Sequence, residues 1–169
     1  DSVMLNFGHG IYYHATMDRV YLATIFTNQN NYLTTNSDTA VGSIAIFDSI
    51  STLNGGQTPA RHIFGSNTGL KQPHGCWLDE SRDILYVANA FGNNVLVFEN
   101  ASTADGDIAP DRIIHHDSLG RPVYVFIDEA VDRLFITAMA GAPGTMSQVA
   151  IYNNASTADS NSSPLCFIQ

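Results

Sequence analysis

The segment PHGCWLDESRDILYVANAFGNNVLVF (73–98) contains short apolar runs separated by turn-forming residues. The runs are rich in β-branched and aromatic side chains, a composition typical of buried strands. The separators Ser81-Arg82-Asp83 and Gly92-Asn93-Asn94 carry residue types that favour tight turns. No part of the chain keeps a helical hydrophobic period for three turns, so the pattern predicts consecutive antiparallel strands.

The same segment recurs twice along the chain. GHGIYYHATMDRVYLAT (8–24) and PVYVFIDEAVDRLFITA (122–138) align without gaps to residues 73–89. A second unit follows each copy, and its aromatic residue precedes a proline by 12 residues every time: Phe47 to Pro59, Phe98 to Pro110, and Tyr152 to Pro164. Three coincident spacings indicate that the chain consists of three copies of one module.

The pattern of each module predicts four short strands within roughly 49 residues, which is typical of a β-propeller blade. We therefore expect an all-β chain with three four-stranded blades in a single domain. The repeat boundaries place blade 1 at about residues 1–66, blade 2 at about 67–116 and blade 3 at about 117–169. The strands are numbered one to four from the axis of the propeller outward.

Three blades do not close a ring, and an open arc leaves two sheet faces without a neighbour. Joining the C-terminus of one copy to the N-terminus of another gives a Pro164-to-Gly8 spacing of 13 residues, between the internal spacings of 14 and 12. This phase predicts a six-bladed ring built as a homodimer around a two-fold axis. The alternative is that the sequence is a fragment of a longer chain.

The charge balance excludes several classes of partner. Seven Lys and Arg residues stand against 16 Asp and Glu residues, giving a formal net charge of −9. We expect no nucleic-acid partner, because nucleic-acid affinity comes from cationic side chains. We also expect no membrane insertion, since no apolar run has the length of a membrane span. Abundant Asn and Ser and a single lysine, Lys71, favour a secreted, periplasmic or surface location.

The two cysteines and two repeated aspartates have structural interpretations. Cys76 and Cys166 share neither a metal-ligand spacing nor a redox motif. Asp79 and Asp128 precede four-residue separators, so we expect their carboxylates to accept backbone N–H bonds within the turns.

The loops that differ in length between the modules indicate a candidate binding face. The connection between the second and third strands is short in blade 2 but enlarged in blades 1 and 3, within residues 27–42 and 138–148. Insertions confined to one face of a repeat protein often mark its binding face. The candidate ligand contacts there are Tyr32, Met139 and Met146, together with Asn89 at the end of the second strand of blade 2.

Two histidines occupy the same position in two modules. His9 and His74 each precede the tyrosine of their second strand by 12 residues, and the third copy carries Val123 instead. Both should lie at the start of an innermost strand, near the mouth of the central channel. Because histidine is a common metal ligand, His9 and His74 are candidate ligand contacts and candidate ligands of a divalent metal. A purely structural turn is the open alternative.

The module resembles the NHL-type and YVTN repeat propellers through LYVAN (85–89), NNVLVF (93–98) and the PHG…LD pattern of residues 73–79. That group contains scaffolds, lyases and hydrolases. The chain carries no phosphate-binding loop, dinucleotide fingerprint, nucleophile elbow or HExxH motif. We therefore favour a non-catalytic binding module that needs no cofactor and holds a protein, a glycan or a small polar ligand. The alternatives are a lyase or lactone hydrolase with a divalent metal at the channel mouth, and a purely architectural role.

Overall fold

The computed structural model describes residues 7–26, 41–140 and 146–169. Within them the backbone forms strands and single-turn 3-10 helices, and no helix in this part of the chain is long and apolar enough to cross a membrane. The strands are β1 (Phe7–His14), β2 (Arg19–Phe26), β3 (Val41–Asp48), β4 (Arg61–Ile63), β5 (Pro73–Asp79), β6 (Ile84–Asn89), β7 (Asn94–Glu99), β8 (Arg112–Ile114), β9 (Arg121–Asp128), β10 (Arg133–Met139), β11 (Gln148–Asn153) and β12 (Cys166–Ile168).

These strands form three separate sheets in chain order. The sheets are β1-β2-β3-β4, β5-β6-β7-β8 and β9-β10-β11-β12, and every neighbouring pair is antiparallel. The predicted all-β chain of three four-stranded blades is confirmed. Because neighbouring strands run in opposite directions, the loops of each blade lie at one of the two opposite ends of the strands. We call the end where β1, β5 and β9 begin the mouth edge, and the end where they finish the base edge.

Apolar side chains fill the two spaces between neighbouring blades. One cluster lies between the first and second blades, and a second lies between the second and third. Tyr21 and Tyr86 are fully buried at equivalent positions in these clusters. The Tyr86 hydroxyl donates a hydrogen bond of 2.9 Å to the Ala155 carbonyl oxygen of the next blade, and the Tyr21 hydroxyl lies 3.5 Å from that of Ala101. Each tyrosine therefore fills the space between two blades and connects them.

A repeated contact between an aspartate and a serine fastens each blade at its base edge. In the second blade Asp83 adopts a left-handed φ of 57°, and its backbone carbonyl accepts a bond from the Ala101 N–H. Its carboxylate accepts bonds from the Ser102 N–H and hydroxyl, at 2.9 and 2.6 Å. The equivalent pairs in the other blades are Asp18 with Ser51 and Asp132 with Ser156.

Asp79 has the turn role predicted for it. Its buried carboxylate accepts bonds from the Ser81 hydroxyl at 2.7 Å, the Arg82 guanidinium at 2.8 Å and the Arg82 N–H at 3.1 Å. Burial by itself would raise the pKa of Asp79, but these hydrogen bonds outweigh it and lower the pKa. Asp128 likewise accepts a bond from the Ala130 N–H.

Two glutamates connect neighbouring blades along the same edge. Glu129 of the third blade accepts bonds from the Glu80 and Ser81 N–H groups of the second blade, at 3.3 and 3.2 Å. The carboxylate of Glu80 in turn accepts a bond of 2.8 Å from the Tyr12 hydroxyl of the first blade. Each glutamate thus reaches back to the preceding blade.

Candidate functional site

The structure brings His9 and His74 together at the mouth edge. Their ring centroids lie 4.5 Å apart, and the two planes are inclined by 38°. Each ring sits where its strand departs from regular pairing, between Gly8 and Gly10 in β1 and between Pro73 and Cys76 in β5. Because such irregularities re-aim side chains, they account for two residues of different blades meeting above the inner strands.

Glycine at the next position allows the inner strands to approach this closely. A Cβ atom at Gly10 would overlap the His74 carbonyl oxygen, and one at Gly75 would lie 2.8 Å from the Val123 carbonyl oxygen. Both neighbours are backbone atoms, which cannot move aside as a flexible side chain would. The close packing of β1, β5 and β9 therefore depends on these two glycines.

Both imidazoles favour the neutral state. Partial desolvation lowers the pKa of His9, and partial burial together with the charge of His9 lowers the pKa of His74. His9 is exposed and His74 is half-buried, so solvent or a ligand reaches the pair. A neutral imidazole has one N–H donor and one acceptor nitrogen, so the pair offers two donors and two acceptors to a polar group.

Tyr124 is a further residue of the mouth, and it was not among the candidates predicted from the sequence. Its hydroxyl lies 3.5 Å from the His9 carbonyl oxygen, and its ring packs over Gly75. Tyr124 stands in the third copy where the first two carry Gly10 and Gly75. This departure from glycine was visible in the aligned copies and could have directed attention to the residue.

Asn89 has a structural position instead of an open one. Its side chain is fully buried at the end of β6. The side-chain oxygen accepts a bond of 2.6 Å from the Lys71 N–H, and the amide nitrogen donates to the Gly69 carbonyl oxygen and the Asn94 side chain, at 3.0 and 2.9 Å. Asn89 therefore joins two loops of the mouth edge and has no surface left for the ligand contact considered from the sequence.

The residues of the enlarged loops are described only in part. Tyr32 lies outside the described residues. Met139 and Met146 are both exposed. Met139 lines a shallow depression of about 490 Å³ together with Val123, Gln148 and Ile168. Thr137 and Val149 also line this depression, which therefore lies where the mouth edge of the third blade meets the outward face of that blade.

The formal charges of the described residues are divided between the two edges. The mouth-edge connections and the strand ends that join them carry two cations, Lys71 and Arg121, and one carboxylate, Asp117. The other described carboxylates lie on the first-to-second and third-to-fourth connections or at the strand ends beside them. Among the described residues the mouth edge is thus close to neutral, although the chain as a whole is acidic.

Only two metal-ligating side chains meet at the mouth in the described part of the chain. Within residues 7–26, 41–140 and 146–169, no group of three or more His, Cys, Asp or Glu side chains is placed to hold a metal ion. A metal ion bound beside His9 and His74 would therefore need donors from elsewhere.

Comparison with known proteins identifies the architecture. No protein-family model matches the sequence, and no curated protein matches it. A solved structure of Kuenenia stuttgartiensis hydrazine synthase matches 99% of this chain with a TM-score of 0.55 and 14% identity. A Bacteroides uniformis structure named "putative 6-phosphogluconolactonase" matches 95% of it with a TM-score of 0.49 and 9% identity. The chain has a propeller-type fold.

The likeness extends to the fold alone, because both identities are low. The chain spans 50% of the hydrazine synthase chain and 40% of the Bacteroides chain. It therefore corresponds to half or less of each of these two chains.

Proposed function

We propose that the chain is a binding module that holds a small polar ligand with an anionic group at its mouth edge. The observation that carries this proposal is the pair of neutral imidazoles, His9 and His74, on the edge that carries Lys71 and Arg121. Within this proposal the module belongs with the NHL-type propellers, as its repeat pattern suggests.

The chemistry of the mouth suits an anion. The imidazole N–H groups donate hydrogen bonds to a carboxylate or phosphate oxygen. Lys71 and Arg121 supply positive charge at the mouth edge. The other cationic side chains of the described residues lie at the base edge, among carboxylates. A free carboxylic acid, an acidic sugar or the acidic group of a peptide offers the same contact, and in our proposal the function involves binding without a chemical step.

A divalent metal is the second candidate, and with it the lyase or lactone-hydrolase activity. The observation that favours it is the 4.5 Å separation of the two imidazole centroids, since two adjacent histidines are a common part of metal sites. This candidate requires further ligands beyond the described residues.

Histidine NMR spectra of the full chain distinguish the two candidates. We expect inorganic phosphate and acetate to shift the imidazole signals of His9 and His74, and the double variant Lys71→Gln/Arg121→Gln to weaken the effect severalfold. His14, which ends β1 at the base edge, serves as the control signal. A saturable shift with Zn²⁺ but with neither anion would support the metal candidate. Unchanged His9 and His74 signals with every probe would overturn both.

A further inference from the structure

The outward face of the third blade repeats the pattern of two buried interfaces, but no other blade of the described residues packs on it. Ile63, Ile114 and Ile168 occupy the same position in the fourth strand of the three blades. The first two are 0% exposed, whereas Ile168 is 57% exposed. We call this surface the open face, and its residues are Phe135, Thr137, Val149, Ile151 and Ile168.

The first blade carries the opposite half of the same interface. Ile11 and Tyr13 of β1 are 65% and 51% exposed, whereas the equivalent Cys76 and Leu78 of β5 are 4% and 1% exposed because they pack against the first blade. The first blade therefore exposes the surface that a preceding blade would cover, and the third blade exposes the surface that a following blade would cover.

We infer that a second copy of this chain docks head to tail, with the open face of one copy against the inner strand of the first blade of the other. The internal interfaces show that these two halves pack together when both are present. Two copies related by a two-fold axis cover both ends, because each seam joins unlike halves and the pair leaves none unpaired. The chain also spans 50% of the hydrazine synthase chain to which it is similar in fold.

The seam lacks the polar contacts that connect the internal blades. In the second blade Tyr86 and Arg112 each donate a hydrogen bond to the next blade. The equivalent residues of the third blade are Phe135 and Cys166, which lack these donors. Ala15 occupies the position of the glutamates that reach back to the preceding blade. Apolar packing is what remains, so the seam dissociates more readily than an internal interface comes apart.

Cross-linking through the exposed Cys166 tests the head-to-tail arrangement. Arg112 donates a 2.6 Å bond to the Ala158 carbonyl oxygen across an internal interface, and the equivalent positions across the seam are Cys166 and Leu53. We expect Leu53→Cys to form a covalent dimer with a short bifunctional maleimide, and Leu53→Cys/Cys166→Ser to form none. The buried Cys76 stays unreactive.

The unmodified chain supplies the opposing outcome of this experiment. A dimer cross-linked through Cys166 alone would show two open faces packed on each other, and would overturn the head-to-tail seam. Absence of any cross-linked dimer in Leu53→Cys, at concentrations where the mass is that of a dimer, would overturn it equally.

Sedimentation velocity on seam variants provides an independent measurement. We expect Ile168→Asp to raise the dimer dissociation constant about thirtyfold or more, because it places a charge in an apolar contact. Ile113→Asp is the matched control, since this exposed residue of β8 lies outside the seam. Phe135→Tyr restores the missing hydroxyl and should lower the constant about twofold to tenfold. Equal constants for Ile168→Asp and the unmodified chain would overturn the proposal.

Discussion

The second blade and the open face of the third show what a neighbouring blade contributes. Ile114 and Ile168 are the same residue at the same position of equivalent strands, yet one is fully buried and the other is more than half exposed. Neither the residue type nor the local strand structure therefore accounts for their difference in exposure. Both faces of the module therefore carry side chains suited to burial, and a face is buried where another blade packs on it.

The largest expected effect comes from placing a side chain between the inner strands of the first and second blades. We expect Gly10→Val to destabilise the fold by about 3 kcal/mol or more, because the new atoms meet the backbone of His74 and Gly75. Urea unfolding measures the loss. Gly56→Val is the control, since a Cβ there meets nothing within 4 Å, and a similar loss in both variants would contradict the close-approach argument.

Truncating the equivalent isoleucines tests the comparison itself. We expect Ile114→Ala to cost about 3 kcal/mol, and Ile168→Ala less than about 1 kcal/mol in dilute protein, because only the first leaves a cavity in a packed core. Urea unfolding of both variants at the same low concentration is the measurement. Equal losses would show that the open face is packed in the single chain.

Removing one carboxylate tests the repeated contact at the base edge. We expect Asp83→Ala to cost about 2 kcal/mol, because the Ser102 N–H and hydroxyl lose a charged acceptor. Thermal unfolding measures the change. Asp117→Ala provides the matched control on an exposed loop, where we expect stability to stay close to that of the unmodified chain.

The smallest expected effect is the pH dependence that His9 and His74 confer. Both pKa values lie below the usual 6.5 in the folded chain, so folding favours the neutral rings. Their contribution to stability is complete above pH 6.5 and is lost as the pH falls through the folded-state pKa values. The lowered pKa of Asp79 acts in the same direction, but only below its usual value of 3.8.

Melting temperatures between about pH 7.5 and pH 5.5 isolate the histidine contribution, because this window lies above the titration of Asp79. We expect the unmodified chain to lose more stability across this window than His9→Gln/His74→Gln. An equal loss in the two proteins would refute this assignment.

The repeat spacing was sufficient to predict the architecture. Apolar runs and turn residues at the same offsets predicted the strands, and the position of Asp79 before a tight turn predicted its hydrogen bonds. These features depend on residues close together in sequence. For the same reason the Asp83 contact was missed, because Ser102 lies 19 residues further along the chain.

The candidate site was predictable only in part. The aligned copies identified His9 and His74, but their separation depends on strand irregularities that have no clear sequence signal. Asn89 looked accessible at the end of a strand, whereas bonds to two neighbouring loops bury it. Tyr124 approaches His9 from a different blade, a contact that no local pattern could predict.

The mass of the unmodified chain in solution tests most directly whether a second copy covers the open face. Light scattering across a dilution series should give twice the chain mass of 18.3 kDa at high concentration and approach the single-chain value on dilution. Added salt should shift this equilibrium toward the dimer, because each copy carries a net charge of −9. A mass of 18.3 kDa at every concentration and salt level would contradict the account.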